Sequence, residues 1–316
     1  MTYRQKIEVL AKAVQATLAK PKSKRSEPIA VDFAAPHKPG RAPGDANSEF
    51  LINRAMGDWA ETSLQKTLAA NLKGFRVVKY GNSDQMVAGE EGFGDFYREY
   101  QQELATIGKR PDLLVFSDDH YDECWDEDIS TLPLEQLRRI VPQASHGIEV
   151  RSSKVLGDKY TKVRQEQLKA GIKVSQEEHS FTVKVEDLTL VKRWIDTYGV
   201  KHLYAQVLLD SAYMIQTEKI LSLVASRAKG VAVRINRRNQ NKPTIHVPLS
   251  YGARIADIKR PKFDRVKEKE SKLGRIDPYV EPTGGKLLLK KDVFMEALNS
   301  EEQQGAAVVA SPDTLF

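Results

Sequence analysis

Two short apolar runs, each holding one carboxylate, constrain the possible folds of this chain more than any other feature. Their sequences are RPDLLVF at residues 110–116 and HGIEVRSSK at residues 146–154. Apolar β-branched and aromatic residues dominate both runs and turn-forming residues bound them, which predicts two short buried strands. Burying a carboxylate is costly unless it is paired or binds a cation. Asp112 and Glu149 therefore raise the expectation of a metal site.

Length and composition predict an ordinary globular protein. The chain has 316 residues, of which 29% are charged and 41% hydrophobic, enough for a main domain with an appended subdomain. No apolar run approaches the roughly 18 to 20 residues that cross a bilayer. The first ten residues include an acid where a signal peptide needs an apolar core, and the single Cys124 permits no internal disulfide. We expect a cytoplasmic protein.

The positive charge is concentrated in one segment. The formal net charge is +6, but residues 227–275 alone hold fifteen Lys and Arg against four Asp and Glu, and the remaining chain is net acidic. A basic segment on an acidic body is typical of a protein that binds phosphates while keeping a carboxylate site elsewhere. A solvated, highly charged surface is the alternative interpretation.

Hydrophobic periodicity predicts an α/β fold. Helices are predicted at residues 1–20, 48–72, 96–107, 134–140, 158–170, 186–198 and 217–228, and strands at 75–80, 110–116, 148–153, 181–185, 203–209, 231–235 and 244–247. We divide the chain into an N-terminal helix with a basic, proline-rich arm (1–47), a core (48–228), and a basic region with a tail (229–316).

Three further polar side chains have two open interpretations. Glu61 is at the flank of the apolar stripe of helix 48–72, where it could point toward neighbouring strands or remain exposed. Tyr204 and Gln206 share one face of the predicted strand 203–209, where they could reach a site or pack in the core.

The order of these motifs resembles that of the PD-(D/E)XK nuclease superfamily. Pro111-Asp112 begins one strand, Glu149 and Arg151 lie inside a second, and a helix with Glu61 and a strand precede them. Within the superfamily, residues 148–153 are similar to a stretch of type II restriction endonucleases. The resemblance covers roughly residues 48 to 215. It implies a restriction-endonuclease-like αβββαβ core with a mixed sheet flanked by helices, here followed by a basic C-terminal region that contains β-strands.

The chain departs from the superfamily pattern at one position. Arg151 stands two residues after the second acid, where lysine is usual, and the nearest lysine is Lys154. Strand alternation places Arg151 on the face of Glu149, whereas Lys154 would need a bulge or a strand end to reach it. Because arginine is a poor proton acceptor, a metal-bound water would have to supply the nucleophile. Which of the two cations serves the site stays open.

The resemblance also implies a mechanism and partners. Asp112, Glu149 and the Val150 carbonyl would hold one or two Mg²⁺ ions, Arg151 or Lys154 would contact the phosphate, and Glu61 would complete the metal shell through water. The expected substrate is double-stranded DNA, cut at a specific sequence by a homodimer. The expected biological partner is a cognate DNA methyltransferase of the same restriction-modification system, without direct contact.

A polar turn in the basic segment is a candidate for reading DNA bases. Arginine, asparagine and glutamine have the donor and acceptor geometry that recognises guanine and adenine in the major groove. These residue types crowd one predicted hairpin, at Arg234, Arg237, Arg238, Asn239, Gln240 and Asn241. A plain polar turn is an equally open interpretation.

Two rival functions remain. A repair or recombination nuclease of the same fold would cut DNA by its structure rather than its sequence. A non-catalytic DNA-binding protein would share the basic segment, but it would gain nothing from holding Asp112 and Glu149 together.

Overall fold

The computed structural model describes residues 1–20, 28–83, 85–121, 126–236, 242–271 and 273–300. Its helices are α1 (Tyr3–Leu18), α2 (Ser48–Asn71), α3 (Phe93–Ile107), α4 (Leu134–Ile140), α5 (Gly157–Lys169), α6 (Val185–Tyr198), α7 (Thr217–Ala225) and α8 (Lys291–Asn299). Its strands are β1 (Phe75–Lys79), β2 (Leu113–Ser117), β3 (His146–Ser152), β4 (Ser180–Lys184), β5 (Lys201–Val207), β6 (Ser211–Gln216), β7 (Ala232–Asn236), β8 (Lys242–Pro248), β9 (Ala253–Lys259), β10 (Lys262–Glu270), β11 (Ile276–Thr283) and β12 (Lys286–Leu289).

A seven-stranded sheet forms the centre of the molecule. Its strand order is β1-β2-β3-β5-β6-β9-β12, with β3 and β5 parallel and the other neighbours antiparallel. The prediction of an α/β protein with a mixed sheet flanked by helices is therefore confirmed. The prediction missed β6: after β5 the chain turns back, with Leu208 N–H donating to Ser211 O at 2.8 Å, and forms a hairpin before α7.

Helices cover both faces of this sheet, and strand alternation decides which side chains each face receives. Ile148 and Val150 of β3 pack on the face covered by α2 and α8. Tyr204 of β5 packs on the opposite face, with α1, α6 and α7. Glu149 alternates with Ile148 and Val150, so its side chain points to the α6 face. None of the helices in the described ranges is both long and apolar enough to cross a membrane.

Two smaller sheets complete the fold. Strands β4, β8 and β7 form an antiparallel sheet, and β10 pairs with β11 as a two-stranded ribbon. The three-stranded sheet buries Phe181, Val183, Ile245 and Val247 in the core beside α6. Our division of the chain at 228/229 does not coincide with a break in the main sheet, because β9 and β12 are hydrogen-bonded into the sheet that the preceding region begins.

Two buried histidines predict an acid-sensitive fold. His146 is 7% exposed and His202 is 1% exposed. Burial lowers the pKa of His146 to about 4, helped by the charge of Lys201, and burial lowers the pKa of His202 to about 3. Because an unfolded histidine titrates near about 6.5, the unfolded chain binds more protons between these values, and stability falls as the pH drops below about 6.5.

We expect the free energy of unfolding to be lower at pH 5.0 than at pH 7.5 by roughly 2 kcal/mol for each of these histidines. Urea unfolding at the two pH values measures the difference. His146→Gln should reduce the difference by roughly 2 kcal/mol, and His120→Gln, at an exposed position, is the control. The same pH dependence in His146→Gln as in the wild type would contradict this explanation.

Candidate active site

Asp112 lies immediately before β2, at the junction of three strands. Its backbone carbonyl accepts hydrogen bonds from the N–H groups of Tyr80 at 2.8 Å and Gly81 at 3.1 Å, just beyond β1. Its carboxylate Oδ2 accepts from the Val150 N–H of β3 at 2.6 Å. The residue is 7% exposed. These contacts fix the Asp112 carboxylate beside β3, the strand that holds Glu149.

Glu149 is the most buried carboxylate of the site. It lies in the middle of β3 and is 2% exposed. Its Oε1 accepts a hydrogen bond from Lys109 Nζ and lies 3.2 Å from Arg151 Nη2. Its Oε2 is buried and has no hydrogen-bond partner among the residues that the structure describes. One carboxylate oxygen of Glu149 thus contacts two cations, and the other accepts no hydrogen bond from a described residue.

Arg151 shares the face of Glu149, as strand alternation predicts, and is tied to a second acid. Its Nη2 donates to Asp187 Oδ2 at 2.6 Å. Asp187 is in the first turn of α6, directly after β4. Arg151 Nε is buried without a partner in the described part of the chain. The guanidinium is therefore held between β3 and α6 with donor capacity to spare.

Mutual pairing keeps these groups charged. Burial by itself would raise the pKa of Glu149, but Lys109 and Arg151 outweigh it and hold that pKa below the ordinary value. The pKa of Asp187 is lowered in the same way, against burial, by Lys109 and Arg151. Burial would lower the pKa of Lys109, as would Arg151, yet the facing acids, Glu149 first, raise it well above the ordinary value. The site is a cluster of three acids, Asp112, Glu149 and Asp187, and two cations, Lys109 and Arg151.

Strand β5 adds two polar side chains to the same face. Tyr204 pairs with Glu149 and Gln206 pairs with Arg151 in the parallel register. Gln206 Nε2 donates to the Arg151 carbonyl at 3.3 Å. The Tyr204 hydroxyl and Gln206 Oε1 are buried without hydrogen-bond partners in the described ranges. This arrangement favours the interpretation that Tyr204 and Gln206 reach the site over the interpretation that they only pack in the core.

Other predicted residues lie elsewhere. Glu61 is on α2, which covers the opposite face of the sheet from the Glu149 side chain. Lys154 follows the end of β3, is exposed, and lines a separate cavity of about 550 Å³ near Arg260. The structure therefore brings Asp112, Glu149, Val150 and Arg151 together, whereas Glu61 belongs to the helix on the other face of the sheet and Lys154 lines a separate cavity.

A cationic cleft of about 510 Å³ adjoins the site. It lies between the end of β3 and the polar face of the three-stranded sheet, and Arg151, Thr182, Lys184, Arg234, Thr244 and His246 line it. Register explains the shared face, because Thr244 pairs with Lys184 on one side and with Arg234 on the other. Of the predicted base-reading residues, Arg234 lies here, and Arg237, Arg238, Asn239, Gln240 and Asn241 lie outside the described residues.

Two charged members of the site, Lys109 and Asp187, were not predicted from the sequence. Lys109 immediately precedes the RPD run, so its proximity to Asp112 along the chain was a usable signal. Asp187 follows a predicted strand by a few residues, but nothing in the local sequence ties it to Arg151. Its position depends on how α6 packs against the sheet.

Comparisons with known proteins give one finding. Searches of the curated proteins and of the solved structures return no match. The sequence model of the AccI restriction endonuclease family matches residues 1–178 and 162–304, two overlapping segments that together cover nearly the whole chain. That span includes both acids, the cationic cleft and every described helix and strand. The chain belongs to the AccI restriction endonuclease family.

Proposed function

We propose that the protein is a type II restriction endonuclease of the PD-(D/E)XK superfamily that hydrolyses phosphodiester bonds of double-stranded DNA with Mg²⁺. The observation that carries the proposal is the apposition of Asp112, immediately before β2, and Glu149 in the neighbouring β3, where the Val150 N–H donates to Asp112. The element order supports the proposal. With α3, α4, α5 and β4 taken as insertions, the order α2, β1, β2, β3, α6, β5 is compatible with the αβββαβ order of the superfamily. Family membership supports the same activity.

The donor atoms at this point fit a hard divalent cation. Mg²⁺ prefers carboxylate and carbonyl oxygens and keeps several waters. Glu149 Oε2 is buried without a described partner and Asp112 lies beside it, across Val150. The N–H and C=O of one strand residue face the same neighbouring strand, so the Val150 carbonyl is on the side of Asp112. In the described ranges no three His, Cys, Asp or Glu side chains cluster as metal ligands, so the protein would supply two carboxylates and one carbonyl.

The chain's own residues would position the DNA around this cation. A bound Mg²⁺ lowers the pKa of a coordinated water and neutralises charge on the phosphate. Arg151, held by Asp187, can donate its unused N–H groups to a phosphate oxygen. Lys184 and Arg234 line the adjoining cleft, and their charges match the phosphates that flank the scissile bond. We extend this DNA contact to the predicted turn at 237–241.

We further propose that the protein acts as a homodimer on a symmetric site and forms part of a restriction-modification system. Two copies related by a two-fold axis, each with one active site, are the simplest arrangement that cuts both strands at one site. A cognate methyltransferase would protect the host's copies of the site by modifying the same sequence, without contacting this protein.

Digestion of phage or plasmid DNA tests the function. With Mg²⁺ the purified protein should yield discrete bands, and EDTA should abolish them. A smear would favour the repair-type nuclease, which cuts by structure. Intact DNA that is still retarded in a gel-shift assay would favour the non-catalytic DNA-binding protein.

A further inference from the structure

Lys109 lies beside the buried acid Glu149, where the superfamily pattern expects a lysine and where the structure does not place Lys154. Its Nζ hydrogen-bonds the buried Oε1 of Glu149, whereas Arg151 is shared with Asp187 and Lys154 lies exposed at another cavity. We propose that Lys109 is the catalytic lysine of this site, brought in from the loop before β2 instead of from β3. This assignment rests on the metal-dependent hydrolysis proposed above. Lys109 lies outside the PD-(D/E)XK sequence motif.

The backbone that carries Lys109 is fixed against α6. The Lys109 N–H donates to Leu190 O of α6 at 3.1 Å. The preceding Gly108 has a φ of +84° and approaches the helix so closely that an added Cβ would lie 2.2 Å from Leu190 O and 2.6 Å from Trp194 N. A long lysine side chain on a mobile loop would lose much rotamer entropy on docking. Here the close approach of loop and helix fixes its origin, which favours a single position at Glu149.

The burial of Lys109 also points to a function. Its side chain is 15% exposed, contacts Glu149 and interacts electrostatically with Asp187 and Asp112, beside Arg151, whose side chain is 28% exposed. Two cations in one buried site cost free energy through mutual repulsion and desolvation, and apolar residues of similar size often stabilise a fold as well. An arrangement that carries this cost is typical of a site where a negatively charged ligand arrives.

The two cations can then serve different tasks. Arg151 is anchored by Asp187 and is planar, which suits it to hold a phosphate in place. Lys109 has three N–H donors, one of which reaches Glu149. The others can donate to the non-bridging phosphate oxygen on which negative charge grows while the water oxygen bonds to phosphorus and the bond from phosphorus to the leaving sugar oxygen breaks. The water gives up a proton to solvent, and the leaving oxygen takes one from solvent. Lys109 forms no covalent bond. It stabilises charge that exists only in the transition state.

Single-turnover cleavage by neutral variants tests the role. Lys109→Met preserves the length of the side chain and removes its charge, and Lys154→Met is the matched control. With Mg²⁺ we expect Lys109→Met to cleave about 10²-fold more slowly than the wild type, the loss typical of one transition-state donor. DNA affinity measured with Ca²⁺ in place of Mg²⁺ should change by less than about 3-fold, because this donor acts mainly after binding. Lys154→Met should match the wild type in both measurements.

The outcomes separate this role from the proposed function. If Lys109→Met does not fold by circular dichroism, Lys109→Gln is the second neutral variant. A wild-type cleavage rate in either folded variant overturns the role of Lys109, and a large loss in Lys154→Met alone assigns the role to that residue instead. A loss of DNA affinity equal to the loss of rate makes Lys109 a binding residue and also overturns it. Wild-type protein that leaves DNA intact with Mg²⁺ overturns the proposed function itself, and the role with it.

Discussion

Replacing Asp112 by asparagine should reduce the rate of DNA cleavage by at least about 10³-fold while the fold is retained. The asparagine side-chain oxygen can still accept the hydrogen bond from the Val150 N–H, which now ends on Asp112 Oδ2 at 2.6 Å. What disappears is the negative charge that a divalent cation needs. Single-turnover cleavage with Mg²⁺ measures the loss, and Ca²⁺-supported DNA binding and urea unfolding show whether the protein is otherwise intact.

Asp118→Asn is the matched control for this variant. Asp112 and Asp118 flank the same strand, β2, one before it and one directly after it. Asp118 is half-exposed and pairs with Arg76 at 3.3 Å, away from β3. We expect Asp118→Asn to cleave at the wild-type rate. Cleavage by Asp112→Asn within about 3-fold of that rate would contradict the proposed metal site at Asp112.

Asp112 gives a cleaner test than Glu149. Glu149 is the counter-charge of both Lys109 and Arg151, with Oε1 contacting the two cations at once. Removing one partner of a buried ion pair leaves an uncompensated charge and costs about 3–5 kcal/mol. A Glu149 variant would therefore lose stability together with activity, and the two losses could not be separated.

Local patterns were sufficient to predict part of the site. Asp112 and Glu149 lie at or inside short apolar runs bounded by turn formers, and such runs form strands in many contexts. Alternation within a strand then predicts that Arg151 shares the face of Glu149, and the structure places the two 3.2 Å apart. These inferences need only a few consecutive residues.

The remaining members of the site depend on packing between distant segments. Asp187 meets Arg151 because α6 crosses the face of the sheet, and Lys109 is fixed by its hydrogen bond to Leu190 of that helix. The placement of Glu61 depends equally on which face α2 covers, and periodicity within the helix cannot specify that. The same limit applies to β6, since an apolar run followed by Asp210 and Ser211 is compatible with one strand or with a hairpin.

Gly108→Ala should lower the free energy of unfolding by about 2–6 kcal/mol and impair cleavage. The positive φ of +84° costs an L-residue about 1–3 kcal/mol. The new methyl group would in addition lie 2.2 Å from a backbone oxygen of α6, and relieving such a contact costs a further 1–3 kcal/mol or so. The loop cannot yield without displacing Lys109, the next residue. Urea unfolding measures the stability, and the single-turnover cleavage rate shows whether Lys109 can still act at the site.

Gly171→Ala is the control for a positive φ at a glycine without a close contact. Gly171 has a φ of +76°, close to that of Gly108, but an added Cβ would meet no atom within 4 Å. Its replacement should cost about 1–2 kcal/mol from backbone conformation alone and leave cleavage unchanged. A Gly108→Ala variant as stable and as active as Gly171→Ala would contradict the inference that close contact with α6 fixes the loop that carries Lys109. Because the hydrogen bond from the Lys109 N–H to Leu190 O ties this loop to α6, that result would also weaken the structural reason for finding Lys109 beside Glu149.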